Sequence, residues 1–119
     1  MPLIDSIALD TMIAGDEELL ADLATMFVQF LPDLEARLRL AIETQAASEV
    51  ETIFHQLRSR VSYFGATSLQ QMAKQVETQA QSGNLTDIEP SCDQMLRGID
   101  ELLVELRVLT RLPLEKSTE

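Results

Sequence analysis

The stretch VETIFHQLRSRVSYFG, residues 50–65, decides the fold class because its apolar residues recur at helical spacing up to a closing glycine. At about 100° per residue, six apolar side chains fall on one side of a helix: Val50, Ile53, Phe54, Leu57, Val61 and Phe64. The opposite side is polar and carries His55, the one histidine of the chain. The stretch therefore predicts an amphipathic helix that buries one face and holds the histidine in water.

Other helical segments lie on both sides of it. We expect a short first helix over Ser6–Ala14 that ends at Gly15, and a long second helix capped by Asp16. Pro32 lies inside the second helix and predicts a bend or local disruption there rather than an end. Three pairs resemble capping boxes that open the third, fourth and fifth helices: Ser48–Glu51, Thr67–Gln70 and Thr86–Glu89. Gly65 and Gly83 would close the third and fourth helices.

Amphipathic helices joined by short connections can bury their apolar faces only against each other. We therefore predict an all-α protein, an antiparallel four-helix bundle with a short additional N-terminal helix. With 119 residues, the chain is long enough for one core, and we expect a single domain over 1–119 whose tail after about residue 112 is frayed. Met26, Met72 and Met95 have core spacing, and Cys92 falls on the apolar face of the fifth helix.

Charge and composition narrow the classes of function. Twenty acidic residues against nine basic ones give a net charge of −11, which argues against binding to nucleic acid or to an anionic membrane. No apolar stretch is long enough to cross a bilayer, and the N-terminus lacks the pattern of a signal peptide. The lone Cys92 fits a reducing compartment. We expect a cytoplasmic protein that acts on a protein partner or a small ligand.

His55 is the candidate for chemistry. An imidazole in water is largely neutral at pH 7, so one ring nitrogen has a free lone pair that can attack phosphorus. Arg58 lies one turn away and could hold a transferred phosphoryl group, and the small Ser59 leaves room for a partner. The face of His55 also carries Glu51, Thr52 and Ser62. The same pattern fits an ordinary surface histidine in an unrelated helical interaction module, so the spacing alone leaves both open.

The segment HQLRSRVSYFGATSL, residues 55–69, resembles the signature of histidine-containing phosphotransfer (HPt) domains. That signature is His-x-Leu-Lys-Gly, five residues, a glycine and then a helix beginning near a leucine; Gly65 and Leu69 stand in register. Further matching positions extend the similarity over nearly the whole chain: residues 16–20, Met26-Phe27, Pro32, Ala41, Val76-Glu77 and Gly83-Asn84.

This resemblance implies a phosphorelay intermediate of two-component signal transduction, with His55 as the phosphorylation site. Such a domain accepts a phosphoryl group from an aspartate of one receiver domain and passes it to an aspartate of another. The receiver supplies the acidic pocket, the Mg²⁺ and most of the catalysis, so the chain would be a phosphocarrier rather than an enzyme, with no cofactor or metal of its own. The implied partners are response-regulator receiver domains and a hybrid sensor histidine kinase.

Two positions depart from the family pattern. Arg58 replaces the usual lysine, which keeps the charge but changes its geometry, and Ser59 replaces the usual glycine. These departures leave open an HPt-like adaptor that binds a receiver or kinase without transferring phosphate. For either function, we expect docking on the exposed face of the third helix and on the neighbouring second helix. The docking residues on the third helix would be Glu51, Thr52, Ser59 and Ser62.

Overall fold

A computed structural model of the chain describes residues 2–116, and its regular structure consists of five α-helices. They are α1 (Ser6–Ile13), α2 (Glu17–Glu43), α3 (Ala47–Ser62), α4 (Thr67–Gln81) and α5 (Ile88–Thr110). Residues 2–116 contain no strand. The predicted all-α bundle with a short N-terminal helix is confirmed. Helix α2 continues through Pro32 without ending, as predicted.

The four long helices form a closed ring of contacts. Helix α3 packs against α2 and α4, and α5 packs against the same two helices. Consequently α3 and α5 occupy opposite corners of the bundle. Connections of three, four and six residues join successive long helices, which is short enough to make them antiparallel neighbours.

The interior is one cluster of aliphatic and aromatic side chains drawn from all five helices. All six apolar residues predicted for the inner face of α3 are fully buried. Phe64 also stacks at a tilt on Phe27 of α2, with ring centroids 5.4 Å apart. Burying a side chain of this size contributes about 1.5–3 kcal/mol relative to exposure. This packing fixes the rotation of α3 and therefore the direction in which its polar face points.

The backbone conformation of the preceding residue, rather than a side-chain cap, determines where α3 and α4 begin. Asp16 caps α2 as expected, because its Oδ1 accepts the Leu19 N–H at 2.9 Å. The capping boxes predicted for α3 and α4 are wrong: the N-cap residues are Ala46 and Ala66, without a side-chain cap. In both cases the preceding residue has a positive φ, which turns the chain directly into the helix.

The third predicted capping box, at Thr86, is also wrong. The Thr86 N–H donates to Asn84 Oδ1 at 2.9 Å, which closes a turn made by the asparagine side chain. Asp87 then adopts a left-handed conformation, and α5 begins at Ile88. Pro90 still falls in the first turn, where its missing N–H leaves no helical hydrogen bond unmade.

The segment after α5 packs on the bundle. The Leu114 side chain is buried, and its carbonyl accepts from Arg107 Nε at 2.6 Å. Lys116 Nζ lies 2.8 Å from Glu35 Oε1 and 3.0 Å from Asp100 Oδ1. Partial burial disfavours the ammonium, but these hydrogen bonds outweigh it and raise the pKa of Lys116. Leu114 and Lys116 are therefore held on the bundle, whereas residues 117–119 of the tail that was expected to fray lie outside the described residues.

Gly65, in the connection after α3, packs directly against the start of α1. Its φ is +66°, and a Cβ there would lie 2.6 Å from the Leu9 nitrogen and 2.8 Å from the Asp5 carbonyl oxygen. Its own carbonyl accepts the Asp5 N–H at 3.0 Å. Only a residue without a side chain allows α1 to seat this closely.

Gly65→Ala should lower the free energy of unfolding by about 3 kcal/mol, because it adds backbone strain and forces α1 away. Gly83→Ala is the matched control, since Gly83 also has a positive φ but has open space around it. The control should lose only about 1 kcal/mol from backbone strain. Equal losses in denaturant titrations of the two variants would contradict the proposed close contact with α1.

No helix within residues 2–116 combines the length and the apolar character needed to span a membrane.

Candidate functional site

His55 projects from the middle of α3 into solvent. Its side chain is 63% exposed, whereas its neighbours Phe54 and Leu57 are fully buried. The predicted exposure of the ring is therefore confirmed. Because the buried face locks α3 against the bundle, the imidazole is presented from a rigid surface.

Two charged side chains contact the inner edge of the ring. His55 Nδ1 lies 3.1 Å from Glu77 Oε1 on α4 and 3.1 Å from Arg58 Nη2 on its own helix. Arg58 Nη2 donates to Glu77 Oε1 at 3.5 Å, while Arg58 Nε lies 3.2 Å from Glu77 Oε2 without being aligned as a hydrogen bond. Glu77 is only 18% exposed, so its carboxylate is partly shielded from water. The three side chains form a cluster in which each contacts the other two.

The chemistry of the cluster favours one tautomer of His55. An ionised carboxylate only accepts hydrogen bonds and a guanidinium only donates them, so Nδ1 can donate to Glu77 or accept from Arg58, but not both. Arg58 already has Glu77 as a charged partner, and the carboxylate gains most from a proton on Nδ1. The lone pair is then on Nε2, which has no hydrogen-bond partner within residues 2–116. The cluster therefore exposes a nucleophilic nitrogen.

The residues predicted to surround His55 lie on the same face of α3. Thr52 and Ser59 are exposed, while Glu51 and Ser62 are half-buried. The hydroxyls of Thr52 and Ser62 donate to carbonyls of their own helix, those of Ser48 and Ser59. Glu51 and Thr52 border a shallow depression beside the ring, together with Glu77 and Gln81 of α4.

The helices on the two sides of His55 differ in character. The helix that contacts the ring directly is α4, through Glu77, whereas the predicted docking surface included only α3 and α2. Helix α2 borders α3 on the other side, where the Arg60 guanidinium lies 3.8 Å from the centre of the Phe30 ring. Next to Arg60, Met26 is 62% exposed, so its predicted core position is wrong. The site thus has Glu77 on its α4 side, while its α2 side carries both Arg37, which contacts Gln56, and the exposed Met26.

Glu77 is the member of the cluster to which the sequence assigned no role. It is separated from His55 by 22 positions, and only the packing of α4 on α3 brings the two together. A signal was nevertheless present. Glu77 stands four residues after Ala73 and three before Ala80, both buried, so an acidic side chain borders the apolar face of α4. An acid in that position is typically held by a partner.

Cys92 does not belong to this site. Its side chain is buried, as predicted, and burial, reinforced by Asp93 and Glu89, raises the pKa of its thiol to about 12. The thiol is therefore protonated and unreactive at neutral pH. Within residues 2–116, no three histidine, cysteine or acidic side chains converge as they would around a metal ion.

Comparison with known protein families gives one result. Residues 22–107, well over half of the chain, match the family model described as "Hpt domain". This range includes His55, Arg58, Gly65 and Glu77. Comparisons with curated proteins and with solved structures gave no match.

Proposed function

The chain belongs to the Hpt domain family, and on that premise we propose that it is a phosphorelay intermediate whose phosphoacceptor is His55. Hpt domains are phosphocarriers in two-component signalling. The observation that carries the assignment to His55 is its exposed ring. Nδ1 contacts Glu77, and Nε2 makes no hydrogen bond within residues 2–116. We further propose that the chain acts in the cytoplasm, where receiver domains work.

In the proposed reaction, the phosphoryl group moves from a receiver aspartate to Nε2 of His55. Nε2 attacks the phosphorus of an aspartyl phosphate on a receiver domain, a P–N bond forms, the P–O bond breaks, and the aspartate leaves as a carboxylate. The ring then carries a positive charge, with its proton on Nδ1 facing Glu77 Oε1. The reverse sequence passes the phosphoryl group to a second receiver. The receiver supplies Mg²⁺ and the acidic pocket in both directions.

Two negatively charged groups would compete for the Arg58 guanidinium: the Glu77 carboxylate and a phosphoryl group on His55. Its guanidinium lies against His55 Nδ1 and is paired with the Glu77 carboxylate in the unphosphorylated chain, and it is about one-third exposed. After phosphorylation, a dianionic group on Nε2 competes with Glu77 for this cation. We propose that Arg58 stabilises the phosphohistidine by turning part of its guanidinium outwards. The planar group can keep one hydrogen-bonding edge on Glu77 while the other faces phosphate.

Docking of the receiver is proposed on the α3 face around His55 and on the adjoining α2 flank. Thr52 and Ser59 lie on the open surface, with Glu51 and Ser62 beside them. The exposed Met26 adds apolar surface on α2, which suits the apolar core of a protein interface, where methionine is enriched. The proposed partners are receiver domains and a hybrid sensor histidine kinase.

The proposal is tested by direct transfer. Receiver domains charged with radiolabelled phosphate in Mg²⁺ are mixed with the chain, and the label on the chain is assayed for acid and alkali stability. We expect rapid labelling that is lost in acid and retained in alkali, as for a phosphoramidate. Stable binding to a receiver without any label on the chain would instead support the adaptor, for which Arg58 and Ser59 are the motivating departures.

Glu77→Ala should slow transfer about tenfold, which corresponds to the loss of one charge-assisted hydrogen bond. The same variant should shift the ring of His55 towards the tautomer with the proton on Nε2, measured by ¹⁵N NMR of the imidazole. Glu77→Asp is the conservative comparison and should retain part of both properties. A slower rate with an unchanged tautomer would contradict the proposed orienting role of Glu77.

A further inference from the structure

The outer face of α5 carries an apolar strip that faces solvent. Val108 is 74% exposed and Val104 is 55% exposed, and Leu109 beside them is half exposed. These residues border a groove between α5 and the N-terminal segment, whose other apolar walls are Pro2, Ile4 and Leu9. Several neighbouring aliphatic side chains left in water on one face mark an interaction surface more often than single exposed residues do.

Charged residues continue this strip in both directions. Glu101, Val104, Val108 and Arg111 follow one another at spacings of three, four and three residues, and all four are exposed. This is the spacing of a heptad seam, along which one helix packs against another. We call these four residues the α5 seam. It has a valine pair in the middle, an acid at one end and a base at the other.

The α5 seam is complementary to itself when reversed. In an antiparallel pair related by a two-fold axis at the level of residue 106, Val104 faces Val108 of the second copy. Glu101 then faces Arg111 of the second copy, because residue 106 is midway between 101 and 111 as well as between 104 and 108. The two-fold repeats each contact, which gives two valine pairs and two ion pairs. An unrelated partner would have no reason to match this symmetry.

The charge of the chain does not oppose such a pairing at this face. Although the net charge is −11, residues 97–111 contain three basic and three acidic side chains. The three exposed aliphatic residues offer on the order of 300 Å² of apolar surface per chain, the size of a functional patch. With the groove wall and the charged ends, the face approaches the roughly 500 Å² per chain of a small specific interface.

We propose that this face of α5 pairs with a second copy of the chain to form an antiparallel, two-fold symmetric dimer. Since α3 and α5 lie at opposite corners of the bundle, the two His55 rings point away from the dimer interface. Each copy remains open to its own partner. The dimer does not depend on the proposed phosphoryl transfer, and the two can succeed or fail separately.

Sedimentation equilibrium of the full chain tests the proposal. The average mass should rise with concentration towards that of two chains. E101R and R111E should each weaken association about tenfold or more, because each places like charges opposite one another twice. The double variant E101R/R111E restores opposite charges and should recover the wild-type affinity. Recovery of this kind is specific to the antiparallel register.

Two matched substitutions of exposed apolar side chains test whether the dimer forms through α5. Val108→Ser should abolish the dimer, whereas Leu40→Ser, which alters another exposed aliphatic side chain, on α2, should leave it intact. Circular dichroism shows that each variant remains folded. The proposal is overturned if the chain has the mass of one copy up to millimolar concentration, if Val108→Ser leaves the dimer unchanged, or if the double charge variant fails to recover.

Discussion

Replacing His55 by glutamine should abolish the acid-labile label that the chain acquires from a phosphorylated receiver. Glutamine is polar and similar in reach, and the side chain it replaces is mostly in water, so the bundle loses no buried apolar contact. The amide has no basic lone pair on nitrogen and cannot attack phosphorus. We therefore expect no label above background together with an unchanged thermal midpoint. Both are measured on the same preparation, by label retention in alkali and by circular dichroism.

A second variant separates the position of the histidine from its mere presence. Gln56 is the next residue of α3 and lies about 100° around the helix, on the side that faces α2, where its Oε1 accepts from Arg37 Nη1. The double variant His55→Gln/Gln56→His keeps one imidazole on the surface but moves it away from Glu77. It should fail to transfer at the wild-type rate. Full transfer by this variant, or labelling of His55→Gln alone, would mean that the geometry around Glu77 is not what activates the acceptor.

The helices themselves were predictable from the sequence because the apolar periodicity of each segment is strong. Every apolar residue assigned to the inner face of α3 is buried, and Asp16 caps α2. The helix starts at 47 and 67 were less predictable, since they depend on positive φ values at Gln45 and Gly65 that set the turn before any side-chain cap can form. Local sequence reports propensity, whereas a connection of three or four residues is fixed by the helices at both of its ends.

Only the part of the site that lies on α3 could be predicted from the sequence. The exposure of His55 and its neighbours on α3 follows from the 100° rotation per residue. Glu77 comes from a different helix, and its contact with Nδ1 depends on how α4 is rotated and shifted against α3. No periodicity within one segment contains that information. The packed tail has the same origin, because Lys116 finds its carboxylates on α2 and on α5.

Ser59→Trp should reduce transfer at least a hundredfold by blocking the approach of the receiver. Ser59 is exposed one turn after His55, at i+4, and therefore lies on the same face of α3. An indole at this position would occupy the space in which the aspartyl phosphate must come within bonding distance of Nε2. A displacement of about 1 Å in a reacting geometry already costs about a hundredfold in rate. Ser59→Gly, which removes the hydroxymethyl group, should leave the rate unchanged or slightly higher.

Ser68→Trp is the control because it makes the same substitution at an exposed serine elsewhere. Ser68 stands nine positions before Glu77 on α4, about 180° around that helix, and so faces away from His55. It should transfer at the wild-type rate and bind the receiver normally. In Ser59→Trp, binding measured by calorimetry should fall together with the transfer rate, since both need the same close approach. A Ser59→Trp chain that transfers normally would contradict the proposed docking surface and place the approach to Nε2 elsewhere, for example over the depression beside α4.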